Sequence, residues 1–161
     1  MAEERLWAPW RLEYIKGPKP QECIFCAKPA TGDDRAAHIV HRGEHCFVML
    51  NTFPYNNGHM MISPYEHVPS IEELGDPVLL ELMTLSQRSL VALRETYGPE
   101  GFNIGINQGK VAGAGFDDHA HLHVVPRWGA DTNFMPVIGD TRVLPQSLDE
   151  SWAALRSKFD R

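Results

Sequence analysis

His119, His121 and His123 alternate with Ala120 and Leu122, and the run continues into Val124, Val125, Pro126 and Arg127. On a β-strand side chains alternate between faces. The three imidazoles therefore share one face, and Ala120, Leu122 and Val124 take the other. Successive rings then stand roughly 7 Å apart along the strand. An imidazole is largely uncharged near neutral pH, so it can serve as nucleophile, acid, base or metal ligand. Packing is a poor explanation for three such rings in one row. Two chemistries fit: group transfer through a ring nitrogen, or metal coordination by a His-x-His strand.

Cys23-Ile24-Phe25-Cys26 is a second chemical signal. A Cys-x-x-Cys pair is either a metal knuckle or a redox pair. No thioredoxin-like pattern surrounds it, which argues against redox chemistry. A structural metal would need two more ligands. Cys46 makes the cysteine count odd, and an odd count argues against a disulfide framework.

These residues need elements to position them. Cys46 to Asn51 reads as a buried strand, Phe53 to Gly58 as a turn, and His59 to Ser63 as the returning strand. Asp76 reads as the N-cap of the main helix, with Pro77 at its first position. Leu79, Leu82, Met83, Leu90, Leu93 and Tyr97 follow helical spacing, and Gly98-Pro99 ends the run. Phe102, Ile104 and Ile106 alternate with Asn103, Gly105 and Asn107 as a half-buried strand. A glycine-rich loop, Gly109 to Gly115, joins it to the histidine strand, which predicts an antiparallel pair. Ser147 and Glu150 form a capping box for a final helix presenting Trp152, Leu155 and Phe159. Residues 1–20 carry Trp7 and Trp10 and read as an irregular arm that packs. His38, His41 and His45 read as surface residues. The order of elements predicts an α+β fold around an antiparallel sheet.

The bulk numbers set limits. The 161 residues suit one domain spanning 1–161. With 43% hydrophobic and 22% charged residues, the composition is that of a soluble globular protein. No apolar run is long enough to cross a bilayer. Met1 to Arg5 lack the basic-then-apolar pattern of a signal peptide, so a cytoplasmic location is expected. A net charge of −6 gives no general attraction for nucleic acid. A phosphate ligand would need a local set of donors.

The stretch His119 to Arg127 resembles the motif of the histidine triad (HIT) family, His-x-His-x-His followed by apolar residues. Asn51 through Gly58-His59 and Ser63-Pro64 resembles the family's ribose-binding strand, turn and return. Asn107-Gln108-Gly109 lies at the usual distance before the triad. Trp7-x-Pro9-x-Arg11-x-x-Tyr14-Ile15 looks like the arm of the diadenosine tetraphosphate phosphorylase-like branch. So does Arg127-Trp128-Gly129-x-Asp131-Thr132-Asn133-Phe134-Met135-Pro136-Val137 after the triad. Gly115 departs from the pattern, because many members carry a polar side chain there.

The resemblance implies a HIT fold of about five antiparallel strands with a long helix and a C-terminal helix, residues 128–161 forming a C-terminal extension. It implies a homodimer. The implied chemistry is displacement at a nucleotide α-phosphorus, with His121 as nucleophile and His119 and His123 in support. His59, Asn107, Gln108 and the loop at Gly113 and Gly115 would hold phosphate. Asn51 would hold the ribose. Ile24, Phe25 and Leu50 would flank the adenine, and Trp128 would contact substrate from the following segment. Cys23, Cys26, His67 and His119 would bind a structural zinc, with no organic cofactor. Phosphorolysis of diadenosine tetraphosphate by inorganic phosphate, giving ADP and ATP, is the first expected reaction. Hydrolysis of dinucleoside polyphosphates or of adenosine phosphoramidates is the second. Two readings of other classes remain: a non-catalytic nucleotide sensor that does not depend on His121, and a metal-handling protein.

Overall fold

The computed structural model describes residues 17, 22–129, 131 and 146–160. The arm at 1–20, apart from Gly17, and the motif at 132–137 lie outside the described residues. Five strands form one antiparallel sheet: β1 (Ile39–Arg42), β2 (Cys46–Leu50), β3 (Met60–Pro64), β4 (Gly101–Ile106) and β5 (Leu122–Arg127). Their spatial order is β1-β2-β3-β5-β4. Among the described residues four α-helices accompany them: α1 (Ile24–Ala30), α2 (Asp34–Ala37), α3 (Asp76–Tyr97) and α4 (Leu148–Phe159).

Strand alternation gives the sheet two chemically different faces. Val48, Leu50, Met60, Ile62, Leu122 and Val124 pack beneath α3 and α4 in the larger core. Phe47, Met49 and Met61 point the other way, into a smaller core with Phe25 from α1 and Ala37 from α2. On that second face the register aligns Ile39 with Met49, Met49 with Met61, Met61 with His123, and His123 with Gly105. His123 therefore stands at the glycine-bordered end of an apolar cross-strand row.

α3 forms where the apolar spacing places it, and it buries Val78, Leu82, Leu85, Ala92 and Leu93. Gly98 closes it in the left-handed region at φ 56°, a conformation glycine adopts without steric cost. Its N-cap is Gly75 rather than Asp76. The Gly75 carbonyl accepts from the N–H groups of Val78 and Leu79, so helical bonding begins one residue earlier than expected. The capping box at Ser147 and Glu150 is present.

β1, α1 and α2 are additions to the expected elements. A carboxylate fixes the β1–β2 turn: Glu81 on α3 accepts from the backbone N–H groups of Glu44, His45 and Cys46. The approach is close enough that a Cβ at Gly43 would collide with Glu81 Oε1. His41 is half-buried on β1, which corrects its reading as a surface residue. Its ring stacks on Phe159 at 5.2 Å and its Nε2 lies 3.1 Å from Arg88 Nη1. Arg88 also donates to the Phe159 carbonyl at 2.8 Å, tying α4 to α3. No helix among the described residues is long and apolar enough to cross a membrane.

Candidate active site

The β5 ladder starts at Leu122, so His119 and His121 precede it in the segment leading onto the strand. Their rings still line up beside α1. Phe25 stacks on His121 with centroids 4.4 Å apart and touches His119 at 5.2 Å. The His121 and His123 rings meet edge to face at 4.8 Å. His121 Nδ1 lies 2.8 Å from the His119 carbonyl oxygen. A carbonyl only accepts, so Nδ1 carries the proton and Nε2 keeps its lone pair. Burial lowers the His121 pKa, against an opposing pull from that same hydrogen bond. The ring is thus held neutral and in one tautomer.

His59 completes the polar row from the start of β3. The Tyr55 backbone N–H donates to His59 Nδ1 at 3.0 Å, and His59 Nε2 lies 2.9 Å from His123 Nδ1. The turn that carries Tyr55 is pinned from beneath. Buried Asn56 donates to the Pro126 carbonyl at 3.0 Å and to Asp131 at 2.8 Å. Asp131 also binds the Arg127 guanidinium, and that contact holds its carboxyl at about 2. Asn51 ends β2 beside His59: its Nδ2 is 3.4 Å from His59 Nδ1, and its Oδ1 accepts from Phe53 N at 2.9 Å.

Cys23, Cys26, His67 and His119 converge, with their ligand atoms all within 4.8 Å of one another. His119 Nδ1 is 3.3 Å from Cys23 Sγ, 3.6 Å from Cys26 Sγ and 3.2 Å from His67 Nδ1. His67 Nδ1 is 3.4 Å from Cys26 Sγ. Tetrahedral zinc with sulfur and nitrogen ligands has edges of about 3.3–3.8 Å, and these four separations, 3.2 to 3.6 Å, lie close to that range. His119 Nε2 donates to the Pro64 carbonyl at 3.0 Å, which leaves Nδ1 as the ligating atom. Burial pushes the Cys23 thiol up to about 11. A bound divalent cation would reverse that and stabilise the thiolate. His119 therefore faces two ways: its ring joins the candidate metal set, and its carbonyl orients His121.

The HIT domain model matches residues 33–129. The chain belongs to the histidine triad family. It is 37% identical to the AP-4-A phosphorylase of Mycobacterium tuberculosis over 98% of this chain and 85% of that protein. A Zn-bound histidine triad family protein from Mycobacterium smegmatis superposes with a TM-score of 0.68 at 26% identity, covering 86% of this chain and 94% of its own. The diadenosine triphosphate hydrolase of Plasmodium falciparum shares the fold at a TM-score of 0.63 and 21% identity, over 80% of this chain and 78% of its own.

Within this HIT site the remaining expected residues divide. Gln108 is anchored: its Oε1 accepts from the Ile71 N–H at 2.8 Å, so its donor end is the amide nitrogen. Asn107 is half-buried beside it. The loop departs from the expected row of open N–H donors. Lys110–Ala112 forms a 3-10 turn, and the N–H groups of Ala112, Gly113 and Ala114 bond back to Gly109 and Lys110. Gly113 thus spends its donor inside the loop, whereas the Gly115 N–H bonds to none of the described residues. Leu50 is corrected outright. It lies in the core on the face opposite His121, where it borders a pocket of about 160 Å³ shared with Asn51, His59 and the start of α4. Phe25 is only 1% exposed, so it supports the His121 ring rather than offering an open platform for a base. Ile24 is half-buried at its side. Trp128 lies seven residues beyond His121, about 23 Å along the strand, too far to share its phosphorus.

Met49 and Met61 are neighbours of the histidine row that the sequence did not point out. Both are buried on the histidine face, and Met61 is directly opposite His123. Strand parity would have found them, had the β3–β5 register been readable.

Proposed function

We propose that this HIT protein is an enzyme that cleaves dinucleoside polyphosphates at the α-phosphorus through a nucleotidyl group on His121. The observation that carries the reading is the 2.8 Å contact from His121 Nδ1 to the His119 carbonyl, which leaves Nε2 as the nucleophile. In the first step Nε2 forms a P–N bond while the bond from phosphorus to the bridging oxygen breaks. The leaving polyphosphate takes the electron pair, and an in-line attack by a second acceptor then frees His121. In this reading His123 Nε2–H and the Gln108 amide stabilise the developing charge. Asn51 holds the ribose.

The relationship to an AP-4-A phosphorylase favours inorganic phosphate as acceptor and diadenosine tetraphosphate as substrate, giving ADP and ATP. Zinc is the metal that best suits the two-thiolate, two-imidazole set. We assign the whole chain to one domain and the functional unit to a homodimer. Leu80, Met83 and Val91 on the outer side of α3 and Ile104 on edge strand β4 are exposed apolar side chains that a second copy would cover.

The test is incubation with diadenosine tetraphosphate with and without inorganic phosphate, products being resolved by chromatography. Phosphate-dependent ADP and ATP support phosphorolysis. AMP and ATP formed without phosphate mean hydrolysis. Tight binding with no turnover on either regime overturns the enzyme reading in favour of a nucleotide sensor.

A further inference from the structure

The Cys-x-x-Cys run encloses the residue that seats the nucleophile. Cys23 is the N-cap of α1 and Cys26 lies in its first turn. Phe25 stands between them, stacked on His121 at 4.4 Å and against His119 at 5.2 Å. The Cys26 N–H donates to the Cys23 carbonyl at 3.1 Å, so one helical turn separates the two, about 5 Å between Cα atoms. Disulfides span Cα separations of about 4.4–6.8 Å. The sulfurs also converge, since both approach His119 Nδ1, Cys23 from 3.3 Å and Cys26 from 3.6 Å.

Exposure sorts the three thiols. Cys26 is exposed and Cys23 is half-buried. Cys46 is buried in the larger core, on the other side of the sheet from Phe25. Of the three, only Cys23 and Cys26 can pair.

We propose that Cys23 and Cys26 are an oxidation site for hydroperoxides, and that joining them in a disulfide unseats His121. This rests on the reading above, in which His121 is the nucleophile. Redox catalysis of the thioredoxin kind needs its own fold, but a thiol pair that is itself oxidised does not. The exposed Cys26 sulfur attacks one peroxide oxygen, the O–O bond breaks, and the departing hydroxide takes up the thiol proton as water. The Cys23 sulfur then attacks the Cys26 sulfenic sulfur and expels its hydroxyl, which leaves with the Cys23 proton as a second water. Two thiols and one hydrogen peroxide give one disulfide and two waters.

A disulfide sulfur is not a thiolate and does not serve as a metal ligand. Oxidation therefore cuts the candidate set from four donors to the imidazoles of His67 and His119, too few for a closed tetrahedral site. Two links to His121 loosen together. The new bond redraws the turn of α1 that carries Phe25. His119, whose carbonyl accepts from His121 Nδ1 at 2.8 Å, is no longer tied to α1 through a shared ion.

In the test, the reduced chain is loaded with one equivalent of zinc chloride and treated with hydrogen peroxide. Free thiols, intact mass with peptide mapping, zinc release to a colorimetric chelator, the His121 Nδ1–H signal in NMR and turnover of diadenosine tetraphosphate are followed together. Free thiols should fall from three to one, with the loss of two hydrogens located to the peptide holding Cys23 and Cys26. Zinc release should keep pace with it. The Nδ1–H signal should exchange away, turnover should fall about tenfold or more, and dithiothreitol with zinc should restore both. Cys46→Ala should oxidise as the wild type does. A disulfide that leaves zinc bound, or oxygen added to sulfur without a disulfide, overturns the oxidation site. Release of zinc with the Nδ1–H signal and turnover unchanged overturns the link to His121. A reduced, zinc-loaded chain that turns nothing over defeats the enzyme reading above, while loss of the Nδ1–H signal on oxidation would still support the link.

Discussion

His59 Nε2 lies 2.9 Å from His123 Nδ1, and the bond between them has a direction. The backbone N–H of Tyr55, which can only donate, points at His59 Nδ1 from 3.0 Å. His59 therefore carries its proton on Nε2 and donates to His123. His123, accepting on Nδ1, in turn carries its proton on Nε2. The Tyr55 ring, stacked on His59 at 4.9 Å, holds the relay in place.

His59→Phe keeps a flat ring but removes the donor. Its expected effect is a fall in kcat of about 10–100-fold, the usual scale for losing a group that orients another. Nitrogen NMR of the imidazoles should show His123 as the Nε2–H tautomer in the wild type and as a mixture in the variant. A single unchanged tautomer in both would remove the relay.

The candidate metal set yields a separate expectation. The wild type should hold one zinc per chain by elemental analysis, and Cys26→Ser should lose most of it. Because the set links α1, the His67 turn and the approach to β5, removing the ion by chelation should cost about 2 kcal/mol and lower Tm by about 4–8 °C. More than one tightly held ion per chain, with loss on His123 substitution, would instead favour metal handling by the row.

What the sequence disclosed here followed interaction range. The triad, α3 and the α4 capping box are local patterns, visible as period two, period 3.6 and a Ser-to-Glu spacing. The four candidate metal ligands were reached through family resemblance, and the structure brings them together. β1 escaped because four residues make too short a period, and α1 because the Cys-x-x-Cys signal obscured it. Leu50 was misplaced for a deeper reason. Its face depends on pairing with Met60, and thence on Met61 facing His123, a contact between residues about sixty apart in sequence.

Glu81 offers a test of the fold alone. Burial pushes its carboxyl up, but three backbone N–H bonds outweigh this and hold its pKa below the usual value. Glu81→Ala should destabilise the protein by about 2–3 kcal/mol, since the carboxylate's bonds are charge-assisted and no other acceptor replaces it. Urea denaturation would measure this. Nucleotide binding should survive in the folded fraction, because the β1–β2 turn lies away from the triad.

His41 should make stability depend on pH. Burial lowers its pKa below 6.5, and the charges of Arg88 and Arg156 add to that. Its Nε2 accepts from Arg88, a bond that only the neutral ring can make. The unfolded chain binds a proton near pH 6.5 while the folded chain does not, so unfolding takes up protons as the solution is acidified. The stabilisation is complete above pH 6.5 and is lost as pH falls through the lower folded pKa. His41→Gln keeps an acceptor for Arg88 and removes the titration. Between pH 7 and pH 5 the wild type should therefore lose more stability in urea than the variant does. Equal losses would mean that the ring is already charged in the folded protein, and that the link between α4 and α3 does not depend on its neutrality.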